Sequence, residues 1–317
     1  MLVHLLVTPL TQGAFFDHTL DVAHVEFSAH FPGIPVGHLR TGTLDFLTAD
    51  LPDDGLAVAA RLACVQGMFR VDEAGRLTPL DLQPDFRLPP SLVYGAKYRG
   101  KTHELVTQLA LNVAVAHCRT GSPPQTLLDP MAGRGTTLLW GLRYGLHGRG
   151  IEQDQGALDD LHRHIKRQTK LHRIKHEHHK GFVGKKTKEG PGRFVHYTMA
   201  GRSLRLIAGD SRLTPKLLGK QRFDLIVSDL PYGIQFKGKG RRQSVLDLIE
   251  GCAQGWVASL RDGGAMVLIF NTYQPNRDAL AALFTSLGCR VEAISAPHRM
   301  SESIVRDLLV LTKPLSP

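Results

Sequence analysis

The most specific chemistry in this chain stands in Phe223-Asp224-Leu225-Ile226-Val227-Ser228-Asp229-Leu230-Pro231-Tyr232-Gly233. A buried-strand pattern ends in Asp-Leu-Pro-Tyr, at the carboxyl edge where open α/β sheets bind their ligands. The lone pair of an aromatic amine is delocalised into its ring, which makes the nitrogen a poor nucleophile. A carboxylate (Asp229) and a backbone carbonyl (Leu230) that both accept its N–H bonds draw that pair back onto nitrogen. Pro231 stiffens the loop and removes a competing donor. Tyr232 offers a ring on which a base can stack. A Pro turn at a strand end explains most isolated Asp-x-Pro-Tyr runs, but not one that follows a matching series of strand-end acids.

Three such acids precede it. Leu127-Leu128-Asp129-Pro130-Met131-Ala132-Gly133-Arg134-Gly135-Thr136-Thr137 reads as a strand, an acid and a glycine loop that opens a helix. Glycines allow close backbone approach to a ligand, and Asp129 suits an amino-acid ammonium. Leu138 stands where a pyrophosphate-binding loop has its third glycine, which speaks against a nicotinamide dehydrogenase. Glu152, about 20 residues beyond the loop, suits a ribose diol, with Asp154 as a second candidate. Asp210, in Ala208-Gly209-Asp210, suits an adenine amine, or else a turn or helix cap.

The elements that must position these residues follow from apolar periodicity. Helices are predicted over 104–117, 136–145, 157–171, 244–260 and 277–287, and strands over 126–128, 148–152, 204–208, 223–228, 265–270, 290–295 and 304–312. Alternating strands and helices specify an α/β fold with a doubly wound, mostly parallel sheet, closed by an antiparallel hairpin at its C-terminal edge. Residues 1–90 read as a small α+β domain, with strands over 2–7 and 56–70, a short helix within 37–51, and a linker at 84–90. Residues 91–317 form the second domain, with an insertion at about 161–202.

The 317 residues carry 39 Lys and Arg against 29 Asp and Glu. Residues 1–90 hold 5 Arg, no Lys and 11 acids, whereas 91–317 are strongly basic. Residues 161–193 alone hold 11 Lys and Arg, 2 Glu and six His. A polyanionic partner is therefore expected for the second half. Its candidate contacts are Lys101, Lys170, Lys175, Lys185, Lys186 and Lys188, together with Lys237, Lys239, Arg241 and Arg242 in a glycine-loosened loop. The alternative is a solvated basic loop. The histidines lack metal-site spacing, so no metal is expected. Four scattered cysteines and no long apolar run exclude a disulfide scaffold and a membrane span, and point to the cytoplasm.

Taken together, these motifs resemble the class I S-adenosylmethionine-dependent methyltransferases of the amino-methylating group. They are most similar to the tRNA guanine-N2 methyltransferases that usually carry a THUMP domain. The resemblance spans about residues 94–312 and includes Tyr98-Arg99-Gly100-Lys101-Thr102 and Leu109-Ala110-Leu111-Asn112-Val113-Ala114. It implies a Rossmann-like methyltransferase sheet with S-adenosylmethionine as cofactor. Asp129, Pro130, Met131, Ala132, Gly133, Gly135 and Thr136 would cradle the methionine part, Glu152 with Gln153 the ribose, and Asp210 with Ser211 the adenine. Asp229, Leu230, Pro231 and Tyr232 would hold the target amine, Asp229 bordering the cofactor as well. The expected partner is RNA, either tRNA or rRNA. Leu230 replaces the commoner first proline of this tetrapeptide, and residues 1–90 are shorter and more acidic than the family's RNA-recruiting module. Adenine N6 methylation of DNA or RNA, and a catalytically silent RNA-binding protein, are the alternatives. Protein-glutamine methylation would call for Asn at position 229.

Overall fold

The computed structural model describes residues 1–8, 19–96, 103–184, 192–231, 244–301 and 304–315. Its N-terminal elements are β1 (Leu2–Val7), α1 (Thr19–His30), β2 (Val36–Thr41), β3 (Leu44–Asp50), α2 (Gly55–Ala59), β4 (Val65–Val71), β5 (Leu77–Pro79) and α3 (Ser91–Tyr94). The five strands form an antiparallel sheet of order β2-β3-β1-β4-β5. The helix expected within 37–51 is instead the β2–β3 hairpin, in which Thr41 faces Leu44 across a two-residue turn. Gly42 holds that turn at φ +61°, a conformation that favours glycine and turns the chain too tightly for a helix. The strand expected over 56–70 is divided, with α2 occupying its first part.

The larger sheet uses α4 (Glu104–His117), β6 (Thr126–Asp129), α5 (Thr136–Arg143), β7 (His147–Glu152), α6 (Gly156–Leu171), β8 (His176–Phe182), β9 (Arg193–Met199), β10 (Arg202–Ala208), α7 (Thr214–Leu218) and β11 (Phe223–Asp229). It continues with α8 (Val245–Ser259), β12 (Leu260–Asn271), α9 (Arg277–Ser286), β13 (Arg290–Val291), β14 (His298–Ser301) and β15 (Ile304–Thr312). The order is β13-β15-β12-β11-β6-β7-β10-β9-β8, with β14 also paired to β15. Strands β12, β11, β6, β7 and β10 run parallel, and β15 runs antiparallel between β12 and β13. This is a doubly wound, Rossmann-like α/β sheet closed by an antiparallel edge pair. Its winding is legible residue by residue. Leu127, Leu225 and Val267 enter one core with α4, α5 and α6, while their neighbours Leu128, Ile226 and Leu268 enter a second core with α8 and α9. Alternate residues of a strand point to opposite faces, so strands buried on both sides need this near-continuous apolar run.

The segment at about 161–202, which reads as an insertion, contains β8 and β9, which extend the sheet beyond β10. The reason is a two-residue alternation in β9: Val195, Tyr197 and Met199 are buried on one face and belong to the core that includes α6.

The two sheets share one of these cores, with α1 packed against α4. At their junction Glu26 is fully buried and accepts hydrogen bonds from Ala63 N (2.9 Å), Cys64 N (3.3 Å) and Asn112 Nδ2 (2.7 Å). Tyr144 Oη donates to Asn112 Oδ1 at 2.6 Å, which extends the network into α5 and its C-terminal cap. No helix among the described residues is long and apolar enough to cross a membrane.

Candidate functional site

The four predicted acids stand at the carboxyl ends of four neighbouring strands. Asp129 ends β6, Glu152 ends β7, Asp210 follows β10 by two residues and Asp229 ends β11. Chain connectivity puts them there, because each βα turn returns to the same edge of a parallel sheet.

Asp129 is 2% exposed. Its Oδ1 accepts from Ser228 Oγ at 2.8 Å and from Met131 N at 3.1 Å. Burial pushes its carboxyl up to about 7, against the pull of hydrogen bonds from Ser228, Thr137 and Met131. The loop beyond it turns through Gly133 (φ +49°) and Gly135 (φ +85°). A Cβ on Gly133 would meet nothing within 4 Å, so the loop backbone faces open space; one on Gly135 would stand 3.2 Å from Leu161 Cδ1. Glu152 braces this loop, accepting Gly133 N–H at 2.8 Å through Oε2 and Asp154 N–H at 2.8 Å through Oε1. Its carboxyl is also raised, chiefly by burial. Asp210 behaves differently: its side chain is gripped by Arg212 Nε at 2.9 and 3.0 Å, which holds its carboxyl below the usual range.

Asp229 has a partner that lies far away in the chain. Arg306 of β15, only 4% exposed, donates from Nη1 to Asp229 Oδ2 at 3.1 Å. His298 of β14 is fully buried and faces Arg306 across the β14–β15 pair; its Nδ1 lies 2.8 Å from Ala296 O. Leu230 buries its side chain and donates its N–H to Ile269 O at 2.8 Å, which anchors the backbone leaving β11 on β12. Arg306 was missed by reading motifs. Its available signal is a charged pair, Arg306-Asp307, inside an otherwise apolar terminal strand.

Pro130, Met131 and Ala132 lie on the same loop as the glycines, and Thr136 opens α5 directly after it. Two expected ligand residues are less central. Gln153 is exposed, and the Ser211 hydroxyl accepts from Trp256 Nε1 at 3.0 Å. Lys170, in the last turn of α6, and Lys175, just before β8, are exposed and stand away from the acidic edge. Tyr232, Lys101, Lys185, Lys186, Lys188, Lys237, Lys239, Arg241 and Arg242 lie outside the described residues.

The chemistry of this donor set is selective. Four carboxyl groups along one edge offer acceptors for N–H and O–H groups, although Arg212 and Arg306 offset the charges of Asp210 and Asp229. The residues therefore fit a cationic, hydroxyl-bearing ligand of the S-adenosylmethionine kind, with the open space over Gly133 as its cradle.

No protein-family model and no curated protein matches the chain. Among solved structures it is similar to TrmN from Thermus thermophilus, at 16% identity and a TM-score of 0.46, over 89% of this chain and 60% of that one. It thus spans less than two thirds of that protein. It is also similar to an S-adenosylmethionine-dependent methyltransferase from Clostridium acetobutylicum (10% identity, 60% of this chain, 84% of that one, TM-score 0.39). A third likeness is to an rRNA methylase from Streptococcus thermophilus (12% identity, 60% and 87%, TM-score 0.36).

Proposed function

We propose that this protein is an RNA methyltransferase that moves a methyl group from S-adenosylmethionine to a purine exocyclic amine, with guanine N2 in tRNA as the target. The observation that carries the reading is Asp229, held by Arg306 at the carboxyl edge of the sheet, beside three other strand-end acids and an open glycine loop. On this reading residues 91–317 form the methyltransferase domain and residues 1–90 a small accessory domain.

Asp129, Gly133, Gly135 and Glu152 would hold the cofactor, with Asp210 at its adenine end. S-adenosylmethionine supplies an electrophilic methyl on a positive sulfur, so the protein's task is orientation and charge. The Asp229 carboxylate and the Leu230 carbonyl accept the N–H bonds of the amine, which restores its lone pair as nucleophile. Arg306 keeps one Asp229 oxygen fixed by donating to it. Pro231 limits the loop to few conformations.

Cofactor binding checks the first half of this reading. Glu152→Ala is expected to weaken S-adenosylmethionine by about 1–3 kcal/mol in calorimetric titration, through loss of a charge-assisted bond. Gly135→Val forces a branched side chain into a left-handed φ against Leu161 and is expected to weaken binding further. Unchanged titrations for both variants would remove the cofactor from this loop. The substrate is identified by mass spectrometry of nucleosides from RNA of cells lacking the protein. The expected result is the loss of one methylguanosine, restored by the purified enzyme. A missing methyladenosine would move the target to adenine N6, and an unchanged profile would overturn the reading.

A further inference from the structure

A row of basic side chains crosses the sheet behind its acidic edge. In β7, Arg149 stands opposite Arg205 of β10; Arg205 stands opposite His196 of β9; and His196 stands opposite His179 of β8. Directly opposed residues on adjacent strands share one face of a sheet, and strands lie about 4.8 Å apart. Four basic side chains therefore line up in a single cross-strand row. The next row on one side, Ile151, Ile207, Phe194 and Gly181, is mostly apolar, and its three larger side chains enter the second core. On the other side lie Ser203, Thr198 and the acid Glu177. Helices α5 and α6 pack against the opposite face, where Val195, Tyr197, Leu204 and Leu206 are buried.

Among the described residues no carboxylate offsets the two arginine charges. Like charges placed directly opposite destabilise a sheet, and among the described residues neither Arg149 nor Arg205 pairs with a carboxylate. Arg205 lies over the Phe194 ring, 4.3 Å from its centroid, and its Nε donates to His196 Nδ1 at 3.4 Å. His196 can accept that bond because burial, then Arg205 and Arg149, push its imidazole down to about 4. Arg149 donates from Nη1 to Gly148 O at 2.9 Å and to Ser203 Oγ at 3.2 Å, while its buried Nε has no partner among the described residues. Burial, then Arg205, lowers the Arg149 guanidinium to about 10. Both arginines are half-buried, so their charges are partly desolvated and repel each other.

We infer that this sheet face docks the phosphodiester backbone of the RNA substrate, with Arg149 and Arg205 as its central contacts. The proposal rests on the reading of the chain as an RNA methyltransferase and adds the surface that would hold the substrate. Guanidinium forks match phosphate oxygens in pairs, and an external polyanion supplies the countercharge that the fold withholds. Arg149 precedes Glu152 by three residues, about 10 Å along the strand. A backbone bound here would approach the methyl-transfer edge without occupying it.

The test uses the full chain and fluorescently labelled, unfractionated tRNA, titrated by anisotropy over a series of KCl concentrations. Arg149→Met with Arg205→Met keeps the apolar stems and removes both charges. The expected result is a loss of affinity of at least about tenfold. The slope of log affinity against log salt should flatten by about 1.4, two contacts at roughly 0.7 each. Calorimetric affinity for S-adenosylmethionine should be unchanged, and the melting temperature should not fall, because a repulsion has been relieved. Arg149→Lys with Arg205→Lys retains the charges and should retain most of the slope, which guards against a Met variant that folds poorly. Parent and Met variant with equal affinity and slope would overturn the docking surface alone. A Lys variant that loses the slope as the Met variant does would assign these residues to packing and overturn it as well. A change of oligomer mass in light scattering with RNA affinity intact would assign the face to a second copy, whose residues 1–90 are acidic. A parent that binds no tRNA would overturn this proposal and the proposed function together.

Discussion

Asp229→Ala is expected to leave S-adenosylmethionine affinity nearly intact and to lower methyl transfer by two to four orders of magnitude. On the proposed reading the substitution removes the principal acceptor of the amine, so most of the loss belongs in kcat and little in cofactor affinity. A factor of about 10³ corresponds to roughly 4 kcal/mol of barrier, the scale seen when one preorganised group is removed from a developing charge. Arg306→Met should give a smaller loss in kcat, because Asp229 remains while its Oδ2 loses the 3.1 Å bond that fixes it. Single-turnover methylation of the substrate RNA measures both. An Asp229→Ala enzyme that works at near the parent rate would remove this residue from the reaction.

Glu26→Ala is expected to destabilise the protein by about 3–5 kcal/mol, since three buried donors each lose an acceptor, a large part of the 5–15 kcal/mol that usually holds a domain together. The change strands three donors, Ala63 N, Cys64 N and Asn112 Nδ2, in a region closed to water. Asn112 belongs to α4 of the large sheet, so the same change loosens the joint between the two sheets. Chemical denaturation should accordingly lose cooperativity. The network also predicts a pH dependence with an unusual sign. Burial raises the Glu26 carboxyl to about 7, above its ordinary value of 4.5, although all three hydrogen bonds oppose the shift. Between those values the folded chain holds a proton that the unfolded chain releases. Stability from this group is therefore complete below about pH 4.5 and is lost as pH rises towards 7, on the order of 1 kcal/mol per unit. Denaturation midpoints measured from pH 5 to 8 should fall and then level off, and Glu26→Gln should flatten that trend. A parent midpoint that climbs over this range, with no change in Glu26→Gln, would contradict the assignment.

Asp129, Glu152, Asp210 and Asp229 are legible as strand-end acids in the sequence, because each is announced locally by an apolar run, an acid and a turn. Parallel connectivity then brings such strand ends to one edge whatever the details of packing. The same local logic placed α4, β6, α5, β7, α6, β10, β11, α8, α9 and β15 close to their observed bounds. It failed over residues 37–51, where the decisive feature is a two-residue turn at Gly42 and not the surrounding composition. It also missed β8 and β9, whose lysines, histidines and glycines resemble a loop until the two strands pair and one face of β9 is buried. Arg306 reaches Asp229 across 77 positions of chain, and Glu26 reaches Asn112 across 86. Arg149, Arg205, His196 and His179 are ordinary basic residues in four separate segments. Cross-strand register alone makes them one row, because a one-residue slip of any strand would turn its member to the other face. Local sequence thus determined the strand-end chemistry, and tertiary register decided which distant charges stabilise, repel and receive a partner.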